Sequence, residues 1–102
     1  MKTRYKSYAD YGVTDSEKIY LYDFCRNANE VDKKIIKEAL SELPPYIAPF
    51  VFFSLTECMS YDRICQKNYI FMDMVDFYAY RRKGIAAIKR WLILYGKWPY
   101  GT

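Results

Sequence analysis

Residues 77–91 read FYAYRRKGIAAIKRW, five cations set among six bulky apolar or aromatic side chains. At about 100° per residue the string separates into two sides of one helix. Phe77, Tyr80, Gly84, Ile85, Ala87, Ile88, Trp91, Leu92 and Tyr95 fall on a broad apolar side. Ala79, Arg82, Lys83, Ala86, Lys89 and Arg90 fall on the other. The rings therefore read as core, because base-stacking platforms need exposed faces. The cationic side reads as an outward flank whose small alanines allow close approach to a row of phosphates. Its arginines add a fork suited to phosphate or guanine. It contains no acid, whereas a merely solvated helix face mixes signs to form i,i+4 pairs. Arg81 projects toward the apolar side and is expected to lie partly buried against a carboxylate such as Glu57 or Asp62. Asp73 caps this long helix, and Gly96 terminates it after Tyr95.

Upstream, helix signals follow one another closely. Thr14-Asp-Ser-Glu17 fits a capping box and starts a helix that runs to about Arg26, carrying Ile19, Tyr22 and Cys25 inward. Asn29 caps a second, in which Val31, Ile35, Ile36, Ala39, Leu40 and Leu43 recur with helical period. Pro44-Pro45 stops it, since a residue before proline resists the α conformation. YIAPFVFFSLTE, residues 46–57, reads as a third helix, apolar nearly all round and hence the buried centre of a bundle. Ser60 caps a short fourth helix, and Asn68-Tyr69 turns the chain into the long fifth. No alternating strand pattern is present. The expectation is an all-α, single five-helix domain over residues 14–96, between a flexible N-terminal tail (1–13, with Tyr5, Tyr8 and Tyr11) and a C-terminal tail (97–102).

Composition narrows the function. The chain of 102 residues is 52% apolar, enough to bury a core, and 20% aromatic, mostly tyrosine. Its net charge of +4 is localised: residues 73–97 carry six cations and two acids, and the remainder is neutral. That polarisation points to an anionic partner. Without histidine there is no imidazole base and no ordinary acyl-transfer triad. Neither a GxxxxGK[ST] nor a GxGxxG phosphate loop occurs, and Gly12, Gly84, Gly96 and Gly101 punctuate helices or tails. Cys25, Cys58 and Cys65 lack zinc-knuckle spacing and read as reduced packing residues. No enzyme activity, cofactor, metal or small-molecule substrate is expected. The N-terminus lacks the apolar run of a secretory signal, and Tyr46–Leu55 is too short to span a membrane. The expected setting is the cytoplasm, the expected state a monomer or homodimer.

Ser60-Tyr-Asp-Arg-Ile-Cys65, a short connection through Ile70 and the acid-capped basic helix resemble the helix-turn-helix of sigma-factor region 4 over residues 60–95. In that reading Tyr61, Ile64 and Cys65 face the core and Ile70 plugs the turn. The wider pattern GVTD…CRNA…IAPFVFFSL…SYDRI…DFYAYRRK resembles small phage and mobile-element proteins of Gram-positive bacteria, compared with late-gene regulators. The resemblance implies a transcriptional regulator binding double-stranded DNA. Arg82, Lys83, Lys89 and Arg90, helped by Lys97, would be its phosphate contacts. Asp73 and Asp76 occupy the first turn, where base reading begins, so the implied affinity is mainly electrostatic. The alternative is a protein-binding inhibitor or adaptor of phage origin, such as an anti-CRISPR-type protein acting on a host nuclease. There the basic flank would cover an acidic protein surface, and the aromatic tail WPYGT would anchor the interface.

Overall fold

Four helices begin on the cap their sequence specifies. The structure is a computed structural model that describes residues 6–100; Tyr5, Gly101 and the rest of residues 1–5 and 101–102 lie outside the described residues. Thr14 opens α1 (Asp15–Arg26) with both halves of the capping box: its hydroxyl accepts from Glu17 N, and Glu17 Oε1 accepts from Thr14 N. Asn29 caps α2 (Glu30–Leu40), Ser60 caps α4 (Tyr61–Cys65) and Asp73 caps α5 (Met74–Leu94). Only α3 (Ala48–Thr56) starts without a side-chain cap; proline in its first turn removes an N–H that would otherwise need a partner. A 3₁₀ turn at Ala9–Tyr11 precedes α1. Among the described residues there is no strand, and the chain forms one all-α domain with a Cα radius of gyration of 13.0 Å.

The arrangement differs from the expected bundle in which element lies at the centre. It is α5, packed against each of α1, α2, α3 and α4. Phe77, Ile85, Ala87, Ile88 and Leu92 are fully buried, and so are Ala79 and Ala86 on its opposite side. The small residues on both sides permit this. Gly84 lies so close to α2 that an added Cβ would fall 2.7 Å from Leu40 Cδ2. Helix α3 is instead peripheral along one side: Val51, Ser54 and Leu55 are buried, whereas Phe53 is 47% exposed. Nor do Ile19 and Val31 turn inward. Both stand in solvent, while Leu21 and Cys25 on α1 and Ile35, Ile36, Ala39 and Leu40 on α2 fill the core.

The described parts of both tails are packed parts of the domain, not loose ends. Tyr8 and Tyr11 lie against the core, Val13 is buried, and the Tyr8 and Tyr22 hydroxyls are hydrogen-bonded. Trp98 is likewise buried beside Tyr20, with ring centroids 5.6 Å apart. Of the three cysteines, all free thiols, only Cys25 packs inside, and burial pushes its thiol up to about 12. Cys58 and Cys65 are exposed, so their packing role is not met. Ile64 and Ile70 are buried as expected of the α4–α5 corner, and the Tyr61 hydroxyl donates to Met72 O at 2.6 Å.

Candidate functional site

Of the cations expected on the outward flank of α5, Arg90 is exposed and Arg82, Lys83 and Lys89 are half-buried, and most of them are already engaged. Lys89 is the most thoroughly held. Its Nζ lies 3.0 Å from Glu17 Oε1 and donates to Gly12 O at 2.8 Å, with both side chains of the pair less than a fifth exposed. Arg90 Nη2 meets Glu42 Oε1 at 2.5 Å, and Trp91 Nε1 donates to the other oxygen of the same carboxylate at 2.9 Å. Lys97 lies 3.6 Å from Asp32. Arg82 Nε donates to Lys6 O at 3.0 Å, beneath the N-terminal segment. Lys83, half-buried, has no ion pair among the described residues.

The acid-free flank read from α5 is thus supplied with acids by other elements. Glu17 comes from the first turn of α1, Asp32 from the first turn of α2, and Glu42 from the segment after α2. The Lys89 and Arg90 partners lie 72 and 48 residues away in sequence, beyond any helical-wheel argument. The Glu17 carboxyl sits below its ordinary range. The Thr14 backbone N–H is the main cause, burial works against it, and Lys89 adds to it.

Arg81 is half-buried as expected, but neither Glu57 nor Asp62 pairs with it. Its Nη1 donates to Ser54 Oγ at 3.1 Å, and its guanidinium carbon lies 4.5 Å from the Tyr78 ring centroid and 5.3 Å from that of Tyr22. Both acids are exposed, Glu57 at the C-cap of α3 and Asp62 in the first turn of α4. Ring faces and a buried hydroxyl take the place of a carboxylate.

The corner between α4 and α5 has the opposite character. Tyr69 and Phe71 are 76% and 79% exposed, with ring centroids 4.8 Å apart in an edge-to-face pair. Met74 and Val75, in the first turn of α5, are also about half exposed. Met74 and Val75 stand with Asp73 and Asp76 where a helix-turn-helix reads base edges, and none of the four is a cation. The cluster falls in the sequence NYIFMDMV, where a break in helical periodicity was visible but the outward direction of its rings was not. A separate apolar groove of 470 Å³ opens between α2 and α3, lined by Leu40, Pro45, Ala48, Pro49, Phe52 and Phe53 among others.

Among the described residues no helix is long and apolar enough to cross a membrane. Nor does any cluster of three or more cysteine, aspartate or glutamate side chains there suit a metal ion. Comparison with protein-family models, with curated proteins and with solved structures returned no match.

Proposed function

We propose that this chain is a non-enzymatic protein-binding module, an inhibitor or adaptor, that docks through the apolar corner between α4 and α5. The carrying observation is the exposed Tyr69–Phe71 ring pair with Met74 and Val75 beside it. Fully covering two such rings gains roughly 3–6 kcal/mol before association costs. That is comparable with the freedom lost on association, so Met74 and Val75 have to join the contact. An exposed cluster of large apolar side chains on a monomer of this size is a recognised mark of an interaction surface.

A helix-turn-helix regulator binding duplex DNA is the second reading, and one feature favours it. The Arg90 side chain is 55% exposed and Lys83, half-buried, has no ion pair among the described residues, and a surface ion pair worth about 0–1 kcal/mol yields readily to a phosphate. Against it stand Lys89, whose release takes a donor from Glu17 and from Gly12 O, and the first turn of α5, where Met74, Val75 and Asp76 supply no cation.

Two measurements separate the readings. In the first, tagged wild type, Phe71→Ser and Lys83→Glu are compared for retained partners in nuclease-treated lysate. A partner held by wild type and Lys83→Glu but lost with Phe71→Ser supports docking at the corner. In the second, duplex DNA is titrated across salt. An affinity falling with a log–log slope near about −3.6, the value for four phosphate contacts, supports the regulator and overturns the module.

A further inference from the structure

Independently of the corner, α1 and α5 build a second feature. Lys18, Tyr22 and Arg26 recur at i, i+4 and i+8 on one face of α1. Tyr78, Arg81 and Arg82 sit at i, i+3 and i+4 on α5. Where the two faces meet they line a cleft of about 380 Å³, made by Tyr8, Lys18, Tyr22, Tyr78, Arg81 and Arg82. It shares Tyr22, Tyr78 and Arg81 with an adjoining cleft of about 340 Å³ that adds Arg26, Ser54 and Ser60. No carboxylate lines either one.

We infer that this double cleft is a binding site for a small phosphomonoester, its phosphoryl group held by Arg81, Arg82 and Lys18. The guanidinium of Arg81 lies over the Tyr78 and Tyr22 rings and donates to Ser54, so its orientation is set before any ligand arrives. One of its five N–H donors goes to Ser54, and no carboxylate among the described residues takes another. Arg82 is held through Nε to Lys6 O, which leaves its two terminal nitrogens as a fork. Lys18 adds a third cation, 5.2 Å from the Tyr8 ring centroid. Two acids pair with cations that line the clefts. Asp15, 98% exposed, lies 4.0 Å from Lys18, and Asp23 is hydrogen-bonded to Arg26.

Two forked guanidiniums and an ammonium on a polar cleft floor match a tetrahedral dianion better than a planar carboxylate, because phosphate oxygens accept from several directions at once. Each cleft is near the lower end for ligand sites, so with the phosphoryl group in one the other takes about a sugar.

The test is a titration followed by NMR on backbone amides and arginine Nε–H signals at physiological salt. The probes are ribose 5-phosphate, inorganic phosphate, ribose and a 5′-phosphorylated oligonucleotide. Ribose 5-phosphate is expected to saturate shifts at Tyr22, Tyr78, Arg81 and Arg82 with Kd below about 1 mM. Inorganic phosphate should bind at the same signals more weakly, and ribose should leave them unmoved. Arg82→Gln and, separately, Lys18→Gln should weaken ribose 5-phosphate at least tenfold while keeping a dispersed spectrum, and Lys83→Gln should not. The inference is overturned by absence of saturation at 10 mM or by unchanged affinity in both weakened variants. It is equally overturned by shifts spread over all exposed lysines, or by binding of the oligonucleotide alone.

Discussion

Glu17 Oε1 accepts hydrogen bonds from Thr14 N at 2.9 Å and from Lys89 Nζ at 3.0 Å, so one carboxylate oxygen closes the cap of α1 and ties that helix to α5. A residue chosen by the sequence to start a helix is thereby also a tertiary contact. The cation it holds, Lys89, was one of those expected to meet a phosphate.

Lys89→Ala should therefore be costly in a way Lys83→Ala is not. Removing Lys89 takes a donor from both Glu17 and Gly12 O, and hydrogen bonds to charged groups contribute about 1.5–3 kcal/mol. Lys83, with no ion pair among the described residues, should change stability by less than about 0.5 kcal/mol. Urea denaturation of the two variants checks the contrast.

Acid should act on the same link. Because the folded-state pKa of Glu17 is lowered, the unfolded chain binds its proton more readily. The stabilisation is fully present above the ordinary carboxylate pKa, about 4.3, and is lost as pH falls through the lowered folded value. Glu17→Gln should be less stable than wild type at pH 7, and the gap should shrink below about pH 4 as wild-type Glu17 protonates. Urea midpoints of both proteins at pH 7 and pH 3 measure it.

A third expectation concerns the helix ends. After α5, Gly96 has φ 70° and the helix closes with Lys97 N to Leu92 O and Gly96 N to Ile93 O. After α3, Met59 N bonds Ser54 O in the same manner, but the left-handed residue is Cys58, with φ 54°. An L side chain there is strained by about 1–2 kcal/mol, part of which glycine returns as unfolded-chain entropy. Cys58→Gly should raise stability by roughly 0.5–1 kcal/mol. Thermal unfolding of the variant tests it.

Local chemistry made much of the fold readable before any coordinates. Thr14, Asn29, Ser60, Asp73 and Gly96 act within a few residues of themselves, and each behaves as its type and position require. What a wheel cannot show is which neighbour covers which side. Ala79 and Ala86 looked like spacers on an exposed flank, yet their small size is what lets a central helix be buried on that side too. Arg81 was placed correctly near the apolar side, but of its company only Tyr78 is local to α5, and Tyr22 and Ser54 come from α1 and α3. The Tyr69–Phe71 pair sits in a connection whose direction depends on how α4 meets α5, so its exposure could not be read from periodicity.

The central claim is that recognition takes place at the α4–α5 corner and not along the cationic flank of α5. A photo-crosslinking amino acid placed at position 71, and in a second protein at position 83, tests it in nuclease-treated lysate. The account predicts a discrete protein adduct from position 71 that Met74→Ser diminishes, and none from position 83. Adducts from position 83 with none from position 71, or covalent capture of nucleic acid from position 83 when nuclease is omitted, would contradict it.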